Sequence, residues 1–276
     1  MRGGRCGVSM RSGEQRAGQR RLWPFPAAVY QGRPSFETDS PFETHAVPGA
    51  VSVAAPGNVM SADAPRIPLA VSALDLGALL CSRVCHDVIS PVGAIVNGLE
   101  VLEDENAADM RDVALDLIAK SARQASARLQ FTRLAFGAAG SAGARLDTGD
   151  AEQVVRGVIE DQRTALEWTL PRVLLPKNRV KLLLNLVLLA GTTVPRGGVI
   201  RVTGAGEGDD MTFALVSTGH SARIPQGIEA LASGTLPEGG LDAHSVQPFY
   251  AGLLARDCGL SIGFTQDGDT VTLTAA

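Results

Sequence analysis

The sequence predicts an α plus α/β molecule: a helical hairpin over 67–137 that pairs with a second copy into a four-helix bundle, then an α/β sandwich over 145–276. Three observations predict it. Apolar residues recur at three- and four-residue steps through the first part, which is the period of a helix with one buried stripe. Helical and two-period segments alternate through the second part, which calls for one sheet layer covered by helices. Residues 1–66 show neither period, and are rich in Gly, Arg, Ser and Pro.

That first segment cannot bury enough surface to offset its ordering entropy and is expected to be a disordered leader. The alternative is a spurious one, with the true start near Met60. It is Arg-rich and acid-poor, yet has no apolar core of the signal-peptide kind. The whole chain carries a formal charge of −4 although its leader is basic, so the folded body is acidic. An acidic body argues against nucleic acid as a partner, because phosphate backbones need clustered Lys and Arg. The apolar run Leu182 to Gly191 falls short of the roughly 20 residues that span a bilayer, so no membrane segment is expected. The four cysteines, Cys6, Cys81, Cys85 and Cys258, form no disulfide framework. That fits a reducing cytoplasm.

The first helix opens at Ser72-Ala73-Leu74-Asp75, a cap serine with an acid three residues later, and runs to about Glu103. Leu80, Val84, Val88, Val92, Ile95 and Leu99 fall on one stripe at about 100° per residue. Pro91 has no N–H, so the carbonyl of Asp87 loses its helical donor and a bend is expected. Asn106-Ala107-Ala108-Asp109 repeats the cap signature and starts a second helix through about Phe136, with Val113, Leu117, Ile118 and Leu129 among its apolar members. One hairpin buries too little alone, so a homodimer is the economical solution.

His86 lies opposite the middle of that stripe, with Ser82, Gly93 and Asn97 on its side and Ser90 flanking it. A lone surface histidine usually does nothing. Its neighbours favour chemistry here in three ways. Asp87 can hold the ring in the tautomer that leaves the other nitrogen free to attack phosphorus. Arg83, one turn back, can offset phosphoryl charge, although a solvated helix charge is its plain alternative. Gly93, Asn97 and the exposed Ile89 suit the docking of a partner surface. Cys81 and Cys85 also invite a metal reading with His86, but both point toward the apolar side while His86 points away. They cannot converge on one ion, and are expected to be core thiols. No metal site is expected.

In the second part, 149–165 reads as a helix and 166–170 as a strand. Val180 to Ala190 is a nearly all-apolar helix, long enough to be buried. Strands follow at Val199–Val202 and Met211–Val216, then a helix around Pro248–Asp257 and a final hairpin turning at Asp267-Gly268. Gly204-Ala205-Gly206 joins two strands and opens no helix, so it is weak as a nucleotide loop. His220 and His244 are expected to be solvated loop residues.

His86-Asp87-Val88-Ile89-Ser90-Pro91-Val92 resembles the H-box of sensor histidine kinases, which carries the phosphorylated histidine on a dimerising hairpin. The segment from Leu184 through Asn185 to Gly198 resembles their N-box, down to Pro195-Arg196-Gly197-Gly198. Leu189 stands where the kinases' magnesium-holding Asn belongs, and Thr192 at the Lys position. Ser217-Thr218-Gly219-His220-Ser221 resembles an Asp-x-Gly-x-Gly element, with Ser217 in place of the adenine-reading Asp. The resemblance therefore implies a degenerate histidine-kinase ATPase-like sandwich that does not use ATP.

Together, over about 67–276, these features resemble the alphaproteobacterial ChpT-type histidine phosphotransferases. That resemblance implies a cytoplasmic homodimer in a phosphorelay. It would accept phosphoryl on His86 from the receiver of a hybrid histidine kinase and pass it to response-regulator receivers that govern the cell cycle. No cofactor is implied, with Mg²⁺ expected on the partner receiver only. A receiver-binding scaffold without chemistry and a receiver phosphatase using Asp87 and Ser90 are the alternatives.

Overall fold

The computed structural model describes residues 71–137 and 143–276. The expectations for the leader, Cys6 and the start near Met60 lie outside the described residues.

Helix α1 spans Ala73–Glu103, and its cap is the expected one: the Ser72 hydroxyl oxygen accepts from the amide of Asp75. A 3-10 turn over Glu105–Met110 then leads into α2, Arg111–Ala135. The capping side chain is Asp104, which accepts from the Asn106 amide, and Ala107 breaks helical geometry, so α2 begins at Arg111 and not at Asn106. The helices cross closely where Gly98 lies over Ile118; a Cβ added at Gly98 would sit 2.6 Å from Ile118 Cγ1.

Packing divides the apolar arc of α1 in two. Leu80, Val84, Asp87, Pro91 and Gly98 turn toward α2 and are buried or half-buried. Leu74, Ile89, Val92, Val96 and Leu99 stay exposed. Cys81 and Cys85 are exposed too. They are not core thiols of this chain, because they sit a quarter-turn or more beyond the line of contact with α2. The 31 residues of α1 are long and apolar enough to cross a membrane by length and composition alone. The expectation of no membrane segment rests on Leu182 to Gly191, whereas the long apolar helix among the described residues is α1.

The second part holds a five-stranded sheet in the order β2-β4-β5-β7-β6 and a two-stranded antiparallel sheet of β1 and β3. The strands are β1 Arg145–Asp147, β2 Thr164–Trp168, β3 Leu174–Pro176, β4 Gly198–Ala205, β5 Thr212–Thr218, β6 Ile262–Asp267 and β7 Thr270–Ala275. β2 runs parallel to β4 and every other neighbouring pair is antiparallel. Alternate residues (Phe213, Leu215, Val271, Leu273) point into the core, as a sheet covered on one face requires. The helices are α3 Thr148–Ile159, α4 Lys177–Thr193, α5 Ile228–Ser233 and α6 Val246–Asp257.

The helix predicted over 149–165 ends early, at Ile159. The Asp161 carboxylate accepts from the amides of Arg163 and Thr164, and that turn releases the chain into β2 two residues before the predicted strand. The α4 helix is buried as expected, with Leu182, Leu183, Leu184, Leu186 and Val187 fully inside.

The hairpin is not tethered loosely to the sheet domain. Phe131 and Ala135, near the end of α2, belong to the same hydrophobic core as α4 and the strands. Asn185, fully buried on α4, donates to the carbonyl of Ala135 at 3.3 Å. Gln247 of α6 donates to the carbonyl and the side-chain oxygen of Asn185 at 3.0 and 3.2 Å. This satisfied polar joint, inside an apolar core, locks α2, α4 and α6 in one arrangement.

Candidate functional site

The site is built on the middle of α1, around the break that Pro91 makes in the helical ladder. Proline removes the donor owed to the carbonyl of Asp87. The structure supplies a replacement from 41 residues away: the guanidinium of Arg128, on α2, donates to that carbonyl. An orphaned carbonyl in a half-buried helix costs more than a made bond gains, so α2 has a reason to place a long cation here. Sequence reading missed Arg128. The signal that points to it is the freed carbonyl, which demands a donor from the facing helix.

Asp87 is thereby held at both ends. Its backbone is tied to α2, and its carboxylate accepts from Arg83 Nε at 2.9 Å. Both side chains are about one-fifth exposed. Arg83 is therefore engaged with Asp87. The other carboxylate oxygen lies 3.3 Å from Nδ1 of His86. A carboxylate beside Nδ1 selects the tautomer with its proton there, leaving the Nε2 lone pair for attack. Nε2 has no hydrogen-bond partner among the described residues, and the His86 side chain is 53% exposed.

The remaining residues singled out from the sequence fall on the same open side. Ser90, Asn97 and Ile89 are exposed, Ile89 at 71%. Gly93 is half-buried, and a Cβ there would meet nothing within 4 Å, so the surface beside His86 is open as expected. Ser90 takes no part in the Arg83–Asp87–His86 chain of contacts.

A cleft of about 290 Å³ lies behind this chain of contacts. Arg83, Asp87 and Arg128 line it together with the apolar Phe131, Val158 and Leu188.

One residue placed by sequence reading in a solvated loop belongs here. His244 is exposed, but its ring packs edge to face on that of His86, with centroids 4.5 Å apart and planes at 77°. Nothing in the spacing of His244 from His86 along the chain foretells that contact; it depends on α6 docking against α1. His220 is exposed in its loop.

Of the positions read as degenerate, Leu189 and Ser217 are buried and Thr192 is exposed. Leu189 is 1% exposed within the core, and Ser217 is fully buried with its hydroxyl donating to the carbonyl of Ala190 at 3.4 Å. Thr192 donates to the carbonyl of Leu189 at 2.6 Å. Gly206 turns at φ 90° between β4 and β5, followed only by a single 3-10 turn over Gly208–Asp210. No cluster of three or more His, Cys, Asp or Glu side chains among the described residues is arranged to hold a metal ion.

Comparison with known proteins identifies the family. Residues 148–270 match the model of the histidine phosphotransferase C-terminal domain. The chain is 51% identical over 209 residues to the protein phosphotransferase ChpT of Brucella abortus (strain 2308), covering 76% of this chain and 99% of that protein. A bacterial phosphotransferase of known structure superposes with a TM-score of 0.70 at 47% identity, over 76% of this chain and 99% of that one.

Proposed function

Because the chain belongs to the ChpT-type histidine phosphotransferases, we propose that His86 is its phosphoryl carrier. On this reading it takes the group from a receiver-domain aspartate of a hybrid histidine kinase and passes it to response-regulator receivers that control the cell cycle. The observation that carries this is the anchored chain Arg83–Asp87–His86, which fixes Nδ1 and leaves Nε2 open on a solvated helix face.

The reaction needs little else. Nε2 attacks phosphorus in line as the bond from phosphorus to the aspartyl oxygen breaks, returning the receiver's carboxylate. The Nδ1 proton stays on the ring, and the positive charge that develops there is offset by Asp87. Passing the group onward reverses these changes: the N–P bond breaks and a second receiver's carboxylate takes the phosphoryl. Such transfers go through a loose transition state, so alignment and charge supply most of the acceleration. Mg²⁺ is expected in the receiver's acidic pocket, with no cofactor on this chain.

Ile89, Gly93 and Asn97 then form the open surface beside the nucleophile against which a receiver docks. The burial of Leu189 and Ser217 in the core supports a protein that does not run on ATP, since a polar metal-holding amide and an adenine-reading carboxylate are replaced by packed groups. The exposed stripe Leu74, Val92, Val96 and Leu99, with Val113, Leu117 and Leu129 on α2, supports a homodimer through a four-helix bundle. The same stripe accounts for the hydropathy of α1, and the reading is of a cytoplasmic protein with no membrane or nucleic-acid partner.

The test is transfer from a radiophosphorylated receiver to wild type and to His86→Ala. Acid-labile, base-stable label on the wild type alone supports the relay. Retained binding without label on either supports the scaffold, and rapid release of phosphate the phosphatase.

A further inference from the structure

Two histidines from distant parts of the chain meet at the site, and only His86 has a task so far. His244 lies in the first turn leading into α6, and that turn is unusually well tied. Asp242 Oδ1 accepts from the amides of His244 and Ser245 at 2.9 and 2.7 Å. The Ser245 hydroxyl donates to the same oxygen at 2.7 Å, and it accepts from the Asp242 amide at 2.8 Å. The Val246 amide then closes on the carbonyl of Asp242 at 3.0 Å. These are reciprocal bonds of the capping-box kind, between Asp242 and Ser245 three residues on, made in the turn that precedes α6, whose own cap position is Ser245.

The Ser245 hydroxyl and the neighbouring amides pull the Asp242 carboxyl down to about 2, so the box stays ionised throughout the neutral range. The helix behind it is anchored in turn, because Gln247 is buried against Asn185. The backbone carrying His244 is thus held to α4 and, through Asn185, to α2, the helix that packs on α1, and its ring meets that of His86 at 4.5 Å.

We propose that His244 is a positioning residue for phosphoryl transfer. It clamps the plane of the His86 ring so that Nδ1 stays on Asp87 and Nε2 stays aimed at the docked receiver. Asp87 alone restrains one edge of the ring through a 3.3 Å contact, which leaves rotation about that contact free. An edge-to-face neighbour removes that rotation, and aromatic pairs of this geometry have a measurable preference for it. The clamp also makes the nucleophile depend on both parts of the fold: α1 supplies His86 and the sheet domain supplies its restraint.

This inference rests on His86 being the phosphoryl carrier, and its test separates the two. Transfer from a receiver domain charged with labelled acetyl phosphate is followed by rapid quench at saturating receiver, with receiver affinity measured separately. His244→Ala should slow the maximal rate roughly three- to tenfold with affinity unchanged. His244→Phe should restore it, since the flat ring is what the clamp needs. Independently of any receiver, the ¹⁵N spectrum of the His86 imidazole should show one tautomer in wild type and in His244→Phe, and averaged tautomers in His244→Ala. A loss of affinity with the maximal rate unchanged would make His244 a receiver contact and overturn the clamp, as would an unaltered His86 spectrum in His244→Ala. Absence of label on wild type with the spectral change intact would instead strike the carrier reading and leave the clamp standing.

Discussion

At the scale of single residues, the account places the chemistry on one contact and its supports. Asp87→Asn keeps the shape but weakens the hold on the Nδ1 proton, and should slow transfer by roughly tenfold to a hundredfold in a rapid-quench assay, with receiver affinity intact. Arg128→Met should act on stability, because it leaves the Asp87 carbonyl without a donor beneath Pro91. The expected cost is about 1–3 kcal/mol in urea unfolding. Asp242 gives a pH prediction. Its folded carboxyl sits below the ordinary value of 3.8, so the unfolded chain binds the proton more readily. Its contribution is therefore complete above about pH 4 and is lost as the pH falls through about 2. A carboxyl ¹³C titration of the folded protein should show Asp242 titrating below the bulk of the aspartates; a midpoint near 4 would remove the capping box from the account.

At the scale of elements, α1 does two jobs with two sides of one helix, and its glycines show them. Gly98 is pressed against Ile118, whereas Gly93 has open space beside it. Gly93→Ala should stabilise the hairpin by up to about 1 kcal/mol, the ordinary gain in helix propensity. Gly98→Val should destabilise it by about 1–3 kcal/mol, because added methyls in a packed seam push the helices apart. Paired thermal unfolding of the two variants reads both signs. The sequence made this helix legible because its cap, its period and its proline are all local signals. Helix α2 was misjudged at its start, since Asn106 and Asp104 are equally good caps and only the 3-10 turn decides between them. The helix ending at Ile159 was misjudged because Asp161 makes a turn that amphipathic spacing does not reveal. Cys81 and Cys85 were assigned to a core for a related reason. Periodicity finds an apolar arc, but not which part of it a neighbouring helix covers.

At the scale of the whole molecule, α2 binds the two parts together. Its final turns enter the sheet domain's core, and Asn185 and Gln247 fasten that joint. His86 and Asp87 were legible as a local string, whereas Arg128 and His244 were not, because each reaches the site only through packing between segments far apart in the chain. Among the described residues, α1 and α2 carry most of the exposed large apolar side chains, and a second copy is the proposed occupant that would complete a bundle. Val92→Asp with Leu99→Lys should convert a dimer into a monomer by light scattering while leaving far-ultraviolet helicity nearly unchanged; a monomeric wild type would contradict the bundle. The central claim is tested most directly by ³¹P NMR of the protein after charging with a phosphorylated receiver, using ¹⁵N-labelled histidine. The account predicts a single phosphoramidate coupled to Nε2 of His86 and absent from His86→Ala. A phosphoryl group on Nδ1, on another residue, or on none would contradict it.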